Sequence, residues 1–397
     1  MAAPAPAYAP DFRITINGAP VPAELRATVT SVRYEDGRNA ADRVEIVLAN
    51  PDLFWLRKHI KGMGFAPFPT RLPGPPAPGM SSSLTPDGIL DIDNSLTLAM
   101  GYVGDGVQHM FAGEITGISA SFPNGGMPTV TVVAHDKLHR LGDGKVTRGF
   151  GLLPDFLTAM LLGGEHLIIP LVDPTIIAAS TVVAVLKAIF VGTGRKQVGQ
   201  SDLEMLADIA KDYDSDFWVE DDVMYLSRFI KEYTPSSTLS WRKSLMDFSP
   251  RLTTVGQVAG VSMKFTLREI PLDFVVSVYW DFDHERLGVQ VLPGIAAKAG
   301  LPFSGANFSI VDQPIGSPAD LASSALRIIS ELRSRLNKRM TGSGSCVGDP
   351  HVRAGKLVRL DGLGTDFSGD YRISSATHSI DGSGYQTHFE GFRELIP

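Results

Sequence analysis

A single cysteine, Cys346, stands among 397 residues, so the chain has no second thiol for an intrachain disulfide and no set of thiolates for a structural zinc. With no His-rich cluster beside it, Cys346 is read as a small loop residue rather than a nucleophile. Basic excess is lacking as well. The 36 Lys and Arg residues are dispersed among 43 Asp and Glu, for a net charge of −7, which argues against specific nucleic-acid binding. No clean apolar run reaches the roughly 20 residues that a bilayer span needs. The most hydrophobic part, Leu167 to Val191, is interrupted by Pro170, Asp173, Pro174 and Lys187. It reads as buried core, with a membrane-active segment as the alternative. The leader MAAPAPAYAP carries neither basic residues nor an apolar core, so no Sec signal is expected and assembly in the bacterial cytoplasm is the default.

What is present is β-pattern, and it is densest near the C-terminus. Lys356 to Leu360, Tyr371 to Ser379 and Tyr385 to Phe392 read as three strands. The second alternates, with Tyr371, Ile373, Ser375, Thr377 and Ser379 on one face and Arg372, Ser374, Ala376, His378 and Ile380 on the other. Asp381-Gly382-Ser383-Gly384 supplies the hairpin turn. A similar arrangement occurs earlier. Phe111-Ala112-Gly113-Glu114 heads a strand to Phe122, a turn at Asn124-Gly125-Gly126 and a strand from Thr129 to Ala134. Phe367-Ser368-Gly369-Asp370 heads the later hairpin about 256 positions on. The spacing predicts a duplicated β unit, although hairpins in general share some of these features.

Ahead of the first unit, Phe12 to Ile16, Val21 to Pro22, Leu25 to Tyr34 and Val44 to Leu48 are predicted strands, and Pro51 to Lys58 a helical turn. The proline-rich stretch 64–86, with its Ser-Ser-Ser run, is an insertion: either a disordered tether or an arm that docks on a neighbour.

The middle differs. Leu152 to Leu162 is helical, and Ser201-Asp202-Leu203-Glu204 is a capping box in front of the apolar stripe Leu203, Leu206, Ile209, Ala210 and Tyr213. Phe217 to Val219 and Val223 to Phe229 form a hairpin, completing a small α+β unit. Gly192-Thr193-Gly194-Arg195-Lys196 lacks both the Walker spacing and a Ser or Thr after the lysine, so it is a loop.

The second β half opens near Leu239, with strands from Val255 to Leu267 and Asp273 to Trp280. The acidic run Asp281 to Glu285 is a solvated turn rather than a cation loop, since no ligand-spaced glycine accompanies its carboxylates. Ser317 caps a long helix over 318–340, which the glycines from Gly342 to Gly344 end.

One cluster invites a chemical reading. His135 and His139, four apart with Asp136 between them, resemble zincin spacing, but the general base of that motif is Glu and no third ligand is apparent. A strand end followed by a helical turn explains the same residues. No catalytic, cofactor or metal residue is assigned.

Four blocks then carry a resemblance: FAGEITGISASFPNGGMPTVTVVAHDKLHRL, SDLEMLADIAKDYDSDFWVEDDVMYL, WRKSLMDFSPRL and GDPHVRAGKLVRLDGLGTDFSGDYRISSATHSIDGSGYQTHF. In order and spacing the chain resembles the phage late control gene D proteins, the baseplate hubs of contractile tails, and is similar to the hub portion of VgrG spikes. The resemblance spans roughly 95–397. It implies an α+β, mainly β, chain with two tail-tube-like antiparallel β-barrel domains, 1–145 and 239–397, an α+β connecting domain at 146–238, and the helix 318–340 inserted in the second half.

It further implies a homotrimer whose six barrels adapt the six-fold tail tube to a three-fold spike. The partners would be the tube ring, inner baseplate proteins and the tape measure protein, in a virion tail or a contractile injection particle. Because the chain ends just after the second barrel, the spike is expected on a separate chain. The implied role is structural rather than enzymatic. The rivals are a cell-wall-degrading metal hydrolase of the tail tip using His135 and His139, and a cargo- or receptor-binding module of the same particle.

Overall fold

The computed structural model of the chain describes residues 9–50, 89–190, 192–227, 233–253, 260–266, 273–281, 286–293, 309–311, 332–337 and 339–394. The predicted turn at Pro51 to Lys58, the insertion 64–86, the Ser317 cap and most of the acidic run and long helix therefore lie outside the described residues.

The first half is antiparallel β. Strands β1 (Pro10–Ile16) and β2 (Ala19–Pro20) precede helix α1 (Ala23–Thr28), followed by β3 (Val29–Gly37), β4 (Arg43–Ala49), β5 (Ser95–Tyr102), β6 (Gly106–Ser121) and β7 (Thr129–His135). In β4 the inward set Val44, Ile46 and Leu48 is buried and alternates with half-buried Arg43, Glu45 and Val47, the period of two that a sheet with one wet face requires. The predicted strand from Leu25 to Tyr34 is corrected at its start. Pro22 precedes α1 with a φ of −55°, Glu24 lies in its first turn, and Leu25 is its buried residue; extended backbone resumes only at Val29. The predicted strand at Val21 to Pro22 is also displaced, to Ala19–Pro20.

A 3₁₀ turn (Lys137–Gly142) leads into the middle unit: β8 (Val146–Gly149), α2 (Asp155–Glu165), β9 (Ile169–Val172), α3 (Pro174–Phe190), β10 (Lys196–Gln200), α4 (Asp202–Asp212), β11 (Asp216–Glu220) and β12 (Val223–Ser227). β11, β12 and β9 form one small sheet, and β8 pairs with β10. The capping box of α4 is formed: the Glu204 amide donates to Ser201 Oγ at 3.1 Å, and the Ser201 amide donates to Glu204 Oε2 at 2.8 Å.

One reading of this unit is corrected, and one loop residue gains a tertiary role. The Leu167 to Val191 segment is not wholly core. Ile176 and Val183 are buried, but Leu167, Ile169, Leu171, Val182, Val185 and Ile189 are exposed, because the segment is an outer strand and a helix with only one face covered. No helix among the described residues is long and apolar enough to cross a membrane. Arg195, placed in a loop by its sequence, is drawn inward to Asp155 (2.7 and 3.0 Å) and Asp212 (2.6 Å), with the Tyr213 hydroxyl also donating to Asp155.

The second half comprises β13 (Ser237–Ser240), β14 (Leu245–Leu252), a separate sheet of β15 (Gly260–Thr266), β16 (Asp273–Asp281), β17 (Arg286–Pro293) and β18 (Ser309–Val311), then β19 (Met340–Val347), β20 (Leu357–Asp361), β21 (Gly369–Asp381) and β22 (Gly384–Phe392). Residues 332–337 are helical, but Met340 already belongs to β19, so the predicted helix does not reach residue 340. Gly342 and Gly344 do not end that helix. They lie within β19, where the Phe248 ring covers them: a Cβ on Gly342 would stand 2.4 Å from that ring. Cys346 is no loop residue either. It is fully buried in β19, and burial pushes its thiol pKa up.

The two β halves repeat one topology. β3-β4-β7-β6-β5 in the first and β14-β19-β22-β21-β20 in the second have the same antiparallel order. Even the irregularities match. Thr116 in β6 and Ser374 in β21 are the extra residues of equivalent bulges, as are Thr30 in β3 and Met246 in β14. Beside the first pair, the Ile115 amide donates to Asn94 O and the Ile373 amide to Lys356 O, both at 2.9 Å.

This alignment puts the equivalent residues 258 apart, Ile115 with Ile373, so the two Phe-x-Gly-acid stretches do not superpose. Phe111 sits within β6, whereas Phe367 closes the short helix Gly364–Phe367. The Ser374 bulge also revises the two faces predicted for β21. Tyr371 and Ile373 are buried before it, and Ala376, His378 and Ile380 after it, because one extra residue inverts the alternation.

Gly342→Ala is expected to destabilise the chain by about 1–3 kcal/mol through forced displacement of Phe248. Urea unfolding of the variant measures this, and an unchanged midpoint would refute the packing described for β19.

Candidate functional site

β21 is long enough to serve two neighbours. Its first residues pair with β20, and Ser375–Ile380 pair with β3, from Ser375 opposite Gly37 to Ile380 opposite Val32. This pairing joins the halves into one continuous sheet and concentrates buried polar groups along the join.

Arg353 donates to Asp36 Oδ2 at 2.9 Å and to the Tyr34 hydroxyl at 2.5 Å, with its guanidinium 5.3 Å from the Tyr34 ring centre. The Ala354 amide also donates to Asp36. The Tyr34 hydroxyl donates in turn to Asp42 Oδ2 at 2.7 Å, and the Gly37 amide donates to the other Asp42 oxygen. Asp136 accepts from the amides of Asp42 (3.1 Å) and Leu138 (2.9 Å), fixing the turn after β7.

His378, opposite Tyr34 and stacked on its ring at 5.9 Å, is fully buried. Its Nε2 lies 3.0 Å from the Val352 carbonyl and must carry the proton, leaving Nδ1 to accept from the Tyr385 and Thr387 hydroxyls at 3.0 and 3.1 Å.

Burial dominates the electrostatics here. It lowers the His378 pKa to about 3, helped by the charge of Arg353. It raises the Asp42 carboxyl well above the ordinary carboxylate range, reinforced by the charges of Asp36 and Asp136, and lifts Asp136 to about 7. Each of these side chains is engaged by a neighbour within the protein. Such an arrangement holds a neutral imidazole and a paired guanidinium in place; it does not present a nucleophile beside a free base.

A cleft of about 510 Å³ opens beside this seam, bounded by Asp36, Asp42 and Arg353 on one side and by Asp173, Trp218 and Tyr225 of the middle unit on the other. Trp218 and Tyr225 stack at 5.1 Å.

The sequence-selected histidines lie elsewhere. His135 Nδ1 is 2.7 Å from Thr116 Oγ1, and His139 Nδ1 is 2.5 Å from the Asp136 carbonyl. The rings are 6.2 Å apart, and burial together with the neighbouring His139 lowers the His135 pKa. The nearest carboxylate, Glu114, is 4.0 Å from His139 Nε2, and both its oxygens are held by Arg140. No group of three or more His, Cys, Asp or Glu residues suited to a metal ion occurs among the described residues. Of the acidic run from Asp281 to Glu285, only Asp281 is described, at the end of β16.

Sequence reasoning did not single out Tyr34, Asp36, Asp42, Arg353 or His378 as a group. A signal was available: Tyr34 and Asp36 occupy the same inward positions as Val32, and His378 the same positions as Ala376 and Ile380.

This mainly antiparallel architecture shares its fold with solved tail proteins. The chain is similar to the 43 kDa tail protein of prophage MuSo2 from Shewanella oneidensis, at 12% identity and a TM-score of 0.58 over 97% of this chain and 98% of that one. It is equally similar to the tail protein from Neisseria meningitidis MC58, at 12% identity and 0.58 over 97% of each chain. The c3393 protein of Escherichia coli, described as a type VI secretion system component with structural similarity to T4 bacteriophage tail proteins gp27 and gp5, gives 0.50 at 12% identity over 97% of this chain and 80% of that one. No protein-family model matches the chain, and no curated protein matches its sequence.

The seam carries a pH signature. A histidine whose pKa falls on folding is protonated first in the unfolded chain, so its neutral form contributes fully above about pH 6.5 and loses ground as pH falls towards 3. Asp136, raised by burial, acts with the opposite sign in part of this window. The comparison with His378→Gln removes that shared contribution. Wild type is expected to lose about 1.4 kcal/mol per pH unit relative to the variant between pH 6 and 4. Urea titrations at several pH values read this difference, and a difference independent of pH would contradict a neutral, buried His378.

Proposed function

We propose that the chain is a structural baseplate hub of a contractile phage tail or related contractile injection system, a homotrimer that adapts a six-fold tail tube to a three-fold spike. The observation that carries this reading is the repeated five-strand order within one chain, in a fold shared with phage tail proteins. Two like units per chain are what a three-fold object needs to meet a six-fold one. In this reading residues 1–145 and 239–397 are tube-like barrels and 146–238 connects them. The tube ring, a separate spike protein, inner baseplate proteins and the tape measure protein are the partners. The chain is assembled in the cytoplasm and resides in the tail baseplate.

The role is non-enzymatic, with no site residue assigned to catalysis, cofactor or metal. Against the metal-hydrolase alternative stands the engagement of both Glu114 oxygens by Arg140, which occupies the carboxylate beside His139. A cargo- or receptor-binding module would have no need of the internal repeat.

Native mass spectrometry of the full chain, alone and mixed with its tube and spike proteins, is expected to give a trimer. A chain that remains monomeric in every mixture would sink the hub reading. On the same sample, metal analysis is expected to find zinc far below one ion per chain. Stoichiometric zinc that disappears in the His135→Ala/His139→Ala variant would favour the hydrolase instead.

A further inference from the structure

The β21–β3 contact inside the chain has an unfilled counterpart. By the matched topology, β21 corresponds to β6 and β3 to β14. Ser375–Ile380 of β21 lie between β22 and β3. The corresponding part of β6, beyond the bulge at Thr116, pairs with β7 on one side and, among the described residues, with no strand on the other. β14 likewise pairs with β19 along one edge, and its other edge has no strand beside it among the described residues.

We propose that residues 118–122 of one copy of the chain pair antiparallel with residues 248–252 of a second copy, repeating between chains the pairing that β21 makes with β3 within one.

The internal register fixes the external one. His378 opposite Tyr34 becomes Ala120 opposite Pro250, and Ile380 opposite Val32 becomes Phe122 opposite Phe248. Ala376 opposite Asp36 becomes Ile118 opposite Leu252, and Thr377 opposite Glu35 becomes Ser119 opposite Arg251.

The side chains divide as such a junction requires. Every residue assigned inward is apolar (Ile118, Ala120, Phe122, Phe248, Pro250, Leu252), whereas Ser119, Ser121, Ser249 and Arg251 point outward. Exposure gives the same answer. Ile380, which inserts into the core of the first half, is 7% exposed, while its counterpart Phe122 is 62% exposed. Asp36 is 7% exposed, and its counterpart Leu252 is 54% exposed. Phe122 would enter the core around Leu239, Leu245 and Phe389 in the next copy, as Ile380 enters the first core here.

Backbone direction agrees. The Thr253 amide points to Arg339 on the β19 side, so by alternation the amides of Phe248 and Leu252, and the donor-less nitrogen of Pro250, face the outer edge. Pro250 thus withholds one donor, which discourages indiscriminate edge pairing while leaving its carbonyl to accept. The contact joins two different edges, so it is head-to-tail and closes into a ring when the rotation per copy permits. Closure at three copies rests on the trimer reading above.

Engineered disulfides test the pairing separately from the trimer. Ser119 and Arg251 would form a pair without mutual backbone bonds, whose Cα atoms lie about 4.5 Å apart and within the span of a disulfide. In the full chain carrying Ser119→Cys and Arg251→Cys, mild oxidation is expected to convert most material into covalent dimers and trimers. Gly117→Cys with Ser249→Cys, four positions out of register, is expected to give less than a tenth as much.

Trimers by mass without the 119–251 cross-link would overturn the pairing and leave the trimer standing. A persistent monomer without cross-links would overturn both, and equal cross-linking of the two pairs would overturn the register. In the unmodified chain, amide exchange over 118–122 and 248–252 is expected to slow at least tenfold on assembly. Unchanged exchange there in an assembled particle would also overturn the proposal.

Discussion

The antiparallel pairing of β21 with β3 is the constraint on which the rest of the molecule depends. It joins two sheets that are otherwise complete in their own strand orders, and its register is locked by what it buries. A slip by one residue would carry Tyr34 and His378 to the wet face and leave Arg353 and Asp36 without their partners. Separating such a buried pair costs about 3–5 kcal/mol, a large part of the stability of an ordinary domain. The seam is expensive to desolvate, and its return is specificity: one register gives Tyr34, Asp36, Arg353 and His378 their hydrogen-bond partners.

The repeats show which features such an architecture needs and which it tolerates losing. Backbone bonds and bulges coincide, while side chains have diverged by exchanging volume. In the first half Val32 stands opposite Ile46; at the same place in the second, Phe248 stands opposite Gly344. A large residue facing a glycine fills about the space of two medium ones, and a close-packed interior demands that compensation. Two further backbone bonds recur. The Asn50 amide donates to Pro128 O as the Gly348 amide donates to Tyr385 O, and Asp136 to Asp42 O as Arg393 to Met340 O.

Much of this was legible in the sequence. The Val44-Ile46-Leu48 alternation, the Ser201–Glu204 capping box, the Gly382 hairpin and the existence of a duplicated unit follow from local chemistry, and the structure contains them. The misreadings share one cause, which is that tertiary partners outrank local signals. Gly342 and Gly344 look like helix terminators until Phe248 is placed over them. The Leu167 to Val191 run looks like core until only one face of α3 is covered. The Phe-x-Gly-acid repeat was two residues out of step because composition cannot see that Phe367 ends a helical turn and Phe111 lies in a strand. The seam itself went unseen because Tyr34, Asp36, Arg353 and His378 are brought together only by the pairing of strands some 340 positions apart.

That same long-range pairing explains why the chain is asymmetric in its edges. A two-repeat chain that uses one edge-to-edge contact internally leaves the complementary contact unmade among the described residues, with one edge at β6 and the other at β14. Two exposed edges with apolar inner faces are an aggregation hazard unless something limits their partners. Here Pro250 removes an amide from one edge, and the exposed Phe122 and Leu252 require apolar contacts of matching shape on the other side. An arbitrary strand meets the hydrogen-bonding demand only in part and the packing demand not at all. The edge that meets both already has its counterpart inside the chain, where β21 lies against β3. In the proposed pairing a second copy supplies that edge in the same register, and the internal contact becomes the rule by which copies are joined.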